Sequence, residues 1–135
     1  MAEPDGYRVL LVEDNPHIVE IFSYALKKLA SGALAGKVTV EVQVAPDGHV
    51  GLKLLSEAVF NLVVTDLYMP VMDGFILIEK IRAQQALQNI PIIAISSGGA
   101  EAETKALALG ADVFLRKPVR LPEIVETVKQ LLHLK

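Results

Sequence analysis

The chain contains no cysteine, so a disulfide framework and a thiolate metal site are both excluded. No basic stretch followed by an apolar stretch opens the sequence, and a secretory signal is therefore not expected. The apolar runs are far shorter than the ~20 residues that a membrane-spanning helix needs. With no basic run and a formal net charge of -3, direct nucleic-acid binding is not expected. The default expectation is a soluble cytoplasmic protein.

The composition indicates one folded domain. The chain has 135 residues, of which 52% are hydrophobic, and its mean hydropathy is +0.42. This length and apolar content suffice for a buried core and exclude a disordered tail. Residues 1–7 are expected to be a short leader, and residues 8–135 the domain itself.

Strand-like and helix-like segments alternate along the domain. Nearly continuous apolar runs at 9–12, 62–65 and 92–95 are typical of strands covered by helices on both faces. Residues 38–44 alternate strictly between apolar and polar, which predicts an edge strand. A further strand is predicted at 113–116, and helices are predicted after Pro16, near 48–58, 74–85 and 101–109, and after Pro122.

Five strand-helix units with right-handed crossovers predict an α/β fold with a doubly wound parallel sheet. The edge character of the second strand favours the flavodoxin-like order 2-1-3-4-5. In that order the first and third strands are neighbours.

Charged residues stand where three of the predicted strands end. Glu13 and Asp14 follow the first strand, Asp66 follows the third, and Lys117 follows the fifth. Parallel strands end at the same edge of a sheet, where ligands bind at the switch in strand order. These side chains are therefore expected to form one site, with the hydroxyl of Ser96 reaching the same edge.

The predicted cluster suits phosphoryl transfer. Neighbouring carboxylates repel, so at least one pKa should be raised unless a cation neutralises the group. Oxygen ligands favour a hard ion such as Mg2+. Asp66 could attack as a nucleophile to form an aspartyl-phosphate, with Mg2+ and Lys117 neutralising the phosphoryl oxygens and Ser96 donating a hydrogen bond to one of them.

The motifs at these strand ends resemble those of the receiver domain of two-component response regulators. They are Glu13-Asp14-Asn15, Asp66-x-x-Met69-Pro70-x-Met72-Asp73-Gly74, Ser96 and Lys117-Pro118. The resemblance covers residues 8–134 and implies a phosphorylation-controlled signalling switch, not an enzyme that turns over an external metabolite. It implies that a histidine kinase or phosphotransfer protein supplies the phosphoryl group, and that a downstream protein of unknown identity responds.

Roles for individual residues follow from the same resemblance. Asp66 is the implied phosphoacceptor, and Mg2+ is held by Glu13, Asp14, Asp66 and the backbone carbonyl of Tyr68. Lys117, in an X-Pro bond that is often cis in this family, contacts the phosphoryl group.

The resemblance also implies which residues take part in the conformational switch and in dephosphorylation. Ser96 and Phe114 are the implied switch residues, which remodel the face formed by the fourth helix, fifth strand and fifth helix. Tyr68 and Gly98 resemble the positions that tune dephosphorylation.

Three alternatives remain at this point. A phosphatase of the haloacid dehalogenase kind would need a second aspartate where Tyr68 stands, and a flavodoxin-like cofactor site would be opposed by Glu13 and Asp14. A phosphorylation-independent pseudo-receiver scaffold would normally lack one of the site groups. The stretch 31–37 is longer than receivers usually have there, and the chain is expected to be either a stand-alone regulator or a receiver from a longer protein.

Overall fold

The computed structural model describes residues 6–31 and 39–133. The elements in chain order are β1 (Gly6–Val12), α1 (Pro16–Ser31), β2 (Thr39–Ala45), α2 (Gly48–Glu57), β3 (Leu62–Asp66), α3 (Gly74–Ala83), a 3-10 turn (Gln85–Leu87), β4 (Ile92–Ser96), α4 (Ala100–Leu109), β5 (Val113–Arg116) and α5 (Leu121–Leu131). The described strands form one parallel sheet in the order β2-β1-β3-β4-β5. The predicted fold class and strand order are confirmed.

The central strands are buried on both faces of the sheet. Side chains alternate along β1: Val9 and Leu11 pack into the core beneath α1 and α5, whereas Leu10 and Val12 pack into the core with α2, α3 and α4. All residues of β3 and β4 are buried. This two-sided burial explains why these strands read as unbroken apolar runs.

β2 lies at the sheet edge, as its alternating sequence predicts. It pairs with β1 alone among the described strands, and four of its residues are exposed: Thr39, Glu41, Gln43 and Val44. The pairing places Gly6 and Tyr7 opposite Thr39 and Val40. β1 therefore begins at Gly6, inside the predicted leader 1–7, because these two residues pair with β2. Residues 1–5, and residues 32–37 of the 31–37 stretch, lie outside the described residues.

Side-chain caps set the helix starts near the site. Asn15 Oδ1 accepts a hydrogen bond from the His17 backbone N–H at 2.9 Å, and α1 begins at Pro16. Asp73 caps α3 in the same way by accepting from Ile76 N–H at 2.9 Å. The sequence predicted both of these starts.

α3 ends at Ala83, two residues before the predicted end near Gln85. Gln84 leaves the helix with an extended backbone, φ -95° and ψ 123°, and its N–H bonds Ile81 O at 3.1 Å. The next residues form the 3-10 turn, so the helical sequence pattern continues past the end of the α-helix.

Arg82, on the last turn of α3, ties this end of the domain together. Its guanidinium donates to the carbonyl of Gly110 at 3.0 and 2.8 Å, to that of Ile90 at 2.8 Å and to the Asp112 carboxylate at 3.0 Å. Longer bonds reach the carbonyls of Leu87 at 3.3 Å and Gln88 at 3.1 Å. One side chain thus joins α3 to the segment before β4 and to the loop between α4 and β5.

Across the described ranges, none of the helices combines the length and the apolar character needed to span a bilayer.

Candidate functional site

The ends of the strands bring the predicted site residues together. Glu13 and Asp14 follow β1, whereas Asp66 ends β3, which is paired with both β1 and β4. Ser96 ends β4, and Lys117 follows β5. The local sequence explains this placement, because each apolar strand runs out of the core and leaves its next polar residue at the same edge of the sheet.

Asp66 is almost fully buried at the centre of this edge. Its side chain accepts a hydrogen bond from the Leu67 backbone N–H, with Oδ1 2.8 Å from the nitrogen. Its other oxygen, Oδ2, lies 3.4 Å from the Lys117 ammonium. The backbone carbonyl of Asp66 also accepts from the buried Thr65 hydroxyl at 2.8 Å. The carboxylate is therefore held in one orientation beside a cation.

Glu13 is the most deeply buried acidic group of the site. Oε2 accepts from the Asn15 backbone N–H at 3.0 Å, and Oε1 lies 3.5 Å from Lys117 Nζ. Within the described part of the chain, Oε1 has no hydrogen-bond partner. Burial raises the pKa of Glu13, and the nearby Asp66 charge adds to the rise, while the Asn15 N–H and Lys117 oppose it.

The three carboxylates converge closely enough to share one cation. One carboxylate oxygen from each of Glu13, Asp14 and Asp66 lies within 4.8 Å of the others, and Asp14 is exposed to solvent. Among the described residues Glu13 Oε1 is a buried oxygen with no hydrogen-bond partner, and burial raises the pKa of this carboxyl. The donor set therefore fits a hard divalent ion such as Mg2+.

The Glu13→Gln substitution should raise the free energy of unfolding of the metal-free protein at neutral pH, by about 1 kcal/mol. Because the pKa of folded Glu13 is raised, stability is lost as pH rises from the ordinary carboxyl range through that raised pKa. The substitution should therefore flatten this pH dependence. Urea unfolding with a chelator at mildly acidic and neutral pH measures both effects.

The exposed Glu57 provides the matched control for that substitution, since Glu57→Gln makes the same chemical change away from the site. A Glu13→Gln protein with wild-type pH dependence, or with lower stability at neutral pH, would contradict the interpretation of Glu13 as a buried, poorly neutralised carboxylate.

Ser96 and Lys117 occupy the remaining strand ends. The peptide bond between Lys117 and Pro118 is cis. Ser96 is fully buried, and its hydroxyl accepts a hydrogen bond from the Gly98 backbone N–H at 2.9 Å. The hydroxyl thus reaches the predicted edge, where it is bonded to its own loop.

The residues that the resemblance assigned to switching and tuning lie around this edge. Tyr68 is 59% exposed and stands beside Gly98. Phe114 is partly buried and packs against the core on the α3 and α4 side of the sheet.

Sequence reasoning missed two features of the site. Val71, in the loop before α3, has φ 69°, and the bond from Met72 N–H to Pro70 O at 2.8 Å closes a γ-turn around it. A positive φ is uncommon for a β-branched residue, and the sequence carries no glycine or asparagine there to signal it. The second feature is a cation–π contact between Phe75 of α3 and Lys105 of α4.

The fold and site together define a class of protein: a doubly wound domain with an acidic cluster and a lysine at the carboxyl ends of its strands. The sequence model of the response regulator receiver domain matches residues 9–129. The chain belongs to this family, the receiver domains of two-component systems, whose members are signalling phosphoacceptors.

Individual proteins show the same likeness. The chain is 34% identical over 134 residues to the sensor histidine kinase TmoS of Ectopseudomonas mendocina, covering 98% of this chain and 13% of that protein. It therefore spans a small part of that relative's length. The chemotaxis protein CheY4 of Vibrio cholerae has 28% identity and a TM-score of 0.80, covering 93% of this chain and 98% of that one.

A third comparison bears on the metal. The receiver domain of the sensor histidine kinase PA1611 from Pseudomonas aeruginosa PAO1 was solved with a magnesium ion coordinated in its active site cleft. It has 25% identity to this chain and a TM-score of 0.81, and the match covers 95% of this chain and 98% of that one.

Proposed function

We propose that Asp66 accepts a phosphoryl group from a histidine kinase or a phosphotransfer protein. The observation that carries the proposal is the orientation of the Asp66 carboxylate, which is buried, fixed by Leu67 N–H and faced by Lys117. In the transfer, an Asp66 oxygen forms a bond to phosphorus and the bond from phosphorus to the donor histidine nitrogen breaks. The histidine keeps the electron pair and takes up a proton.

Lys117 has the clearest part in this reaction. Its ammonium lies between Glu13 and Asp66, 3.5 and 3.4 Å from their nearest oxygens. A phosphoryl group on Asp66 brings additional negative charge to this point, so the lysine stabilises the product and the charge that develops on the way to it. Lys117 is only partly buried, which leaves its long side chain able to adjust.

Glu13, Asp14 and Asp66 would hold Mg2+, together with the backbone carbonyl of Tyr68. When bound, Mg2+ neutralises charge on the carboxylates and on the phosphoryl oxygens. The fit is supported by the convergence of the three carboxylates and by the unbonded Oε1 of Glu13. The magnesium described for the PA1611 receiver domain supports the same assignment by analogy.

Ser96 would couple phosphorylation to the outer surface. Its hydroxyl accepts from the Gly98 N–H through a lone pair, so its own proton is free to be donated to a phosphoryl oxygen on Asp66. Movement of Ser96 toward that oxygen would pull on the loop before α4 through the bond to Gly98. With Phe114 turning inward behind Ser96, the face formed by α4, β5 and α5 would change and a downstream partner would respond.

Intact-mass spectrometry after incubation with acetyl phosphate and Mg2+ tests the phosphoacceptor. The wild-type protein should gain the mass of one phosphoryl group, and chelation of the metal should prevent the gain. Asp66→Asn should take up none. Asp73→Asn is the matched control, because asparagine caps a helix about as well as aspartate and the change leaves the site carboxylates in place.

The outcomes separate two functions. An adduct on the wild type that persists in Asp66→Asn places the phosphoryl group elsewhere and refutes Asp66 as the acceptor. A folded wild type without any adduct favours the phosphorylation-independent scaffold.

A further inference from the structure

The ring of Tyr68 makes two contacts close to the phosphoacceptor. It meets the Phe75 ring edge-on, with ring centroids 5.7 Å apart and an interplanar angle of 76°. It also reaches the loop after β4, where a Cβ on residue 98 would lie 3.3 Å from Tyr68 Cε2 and 3.2 Å from Ser96 Oγ. The absence of a side chain at Gly98 therefore leaves room for the ring close to the Ser96 hydroxyl.

Phe75 in turn is held by a residue of the next helix. It is buried on the first turn of α3, and Lys105 of α4 places its ammonium 4.4 Å from the centroid of the Phe75 ring. This distance is well inside the range of a cation–π interaction. Lys105, Phe75 and Tyr68 thus form a continuous chain of contacts from the exposed surface of α4 to the mouth of the site.

We propose that Phe75 and Lys105 are positioning residues that set how fast phosphorylated Asp66 is hydrolysed, by fixing the Tyr68 ring across the approach of water. The proposal rests on the proposed function, because it needs a phosphoryl group on Asp66. In hydrolysis a water oxygen bonds to phosphorus, the bond from phosphorus to Asp66 breaks, and the carboxylate and inorganic phosphate are released, while the water proton passes to solvent.

Tyr68 lies at the exposed side of the site. Asp66 is buried, whereas Tyr68, two residues further along the chain, is 59% exposed and reaches the loop that carries Ser96. A ring fixed against Phe75 and the Gly98 loop restricts the volume open to water. Weakening either contact frees the ring to rotate away, which opens that volume and shortens the lifetime of the phosphorylated state. Because Lys105 lies on α4, a partner protein bound over that helix would change the lifetime of the phosphorylated state.

The decay of the phosphorylated protein, followed by intact-mass spectrometry after removal of acetyl phosphate, tests the proposal. Lys105→Met should accelerate decay about two- to fivefold, as expected for loss of one exposed cation–π contact. Lys105→Arg should retain the wild-type rate, because arginine stacks on aromatic rings at least as well. The exposed Lys53 provides the matched control as Lys53→Met.

A double-mutant cycle distinguishes positioning of Tyr68 from a general structural effect. In a Tyr68→Ala protein, Lys105→Met should no longer change the decay rate. An acceleration that persists without Tyr68, or a Lys105→Met rate equal to that of Lys53→Met, would overturn the proposal. Phe75→Leu should also accelerate decay, and only when Tyr68 is present. If loss of the buried Phe75 ring unfolds the chain, the Lys105→Met result decides.

The same experiment keeps the two proposals apart. A wild-type protein that takes up no phosphoryl group refutes the proposed function, and the positioning role with it. A protein that is phosphorylated on Asp66 but shows no coupling between Lys105 and Tyr68 refutes the positioning role alone.

Discussion

The Gly74→Ala substitution should lower the free energy of unfolding by about 3–5 kcal/mol. A Cβ at residue 74 would lie 2.2 Å from the carbonyl oxygen of Asp66 and 2.8 Å from the Cα of Leu67. Both obstacles are backbone atoms, so no side-chain rotation relieves the overlap. Urea unfolding of the two proteins measures the difference.

The backbone at Asp66 and Leu67 has little freedom to retreat from that methyl group. Leu67 N–H bonds Ile95 O at 3.1 Å, and Gly74 N–H bonds Leu67 O at 2.8 Å. Any fraction of the variant that stays folded should also take up phosphate from acetyl phosphate more slowly, because Asp66 itself is displaced. Gly99→Ala is the matched control, since nothing lies within 4 Å of a Cβ there. Equal stability of the two alanine variants would contradict the steric argument.

The Arg82→Met substitution should cost about 3 kcal/mol of stability, although Arg82 lies at the end of the sheet opposite Asp66. Methionine keeps much of the apolar stem and removes every guanidinium hydrogen bond. The carbonyls of Gly110 and Ile90 then lose their charged donor, and Asp112 loses its ion pair. Thermal and urea unfolding of the purified variant measure the loss.

Two further variants sharpen this prediction. Arg82→Lys should recover a minor part of the loss, because an ammonium cannot reproduce the planar fork that reaches two segments at once. Lys80→Met, at an exposed position of the same helix, controls for removal of a positive charge from α3. A loss below about 1 kcal/mol for Arg82→Met would mean that water replaces the guanidinium at these carbonyls.

The fold could be predicted because its local signals agree with its long-range arrangement. Strands covered on both faces carry unbroken apolar runs, and β2 at the edge carries an alternating one. The helices predicted after Pro16 and near residue 74 do begin there, where the side chains of Asn15 and Asp73 cap them. The end of α3 was predicted less well, because the helical pattern continues through the 3-10 turn.

The site could be predicted as far as strand ends determine it. Glu13, Asp14, Asp66 and Lys117 come together because parallel strands end on one edge. Interactions between distant segments that do not meet at the strand ends could not be predicted. Arg82 occupies an ordinary position near a helix end, yet its partner Gly110 lies 28 residues away.

The site draws its members from the first and the last strand of the sheet in chain order, with Glu13 directly after β1 and Lys117 directly after β5. Ribosomes make the N-terminal part first, and folding can start before the rest is complete. A growing chain that has released β3 but not β5 holds its carboxylates without the ammonium that lies beside them. A domain cut before residue 117 would keep that uncompensated negative charge at the edge of its sheet.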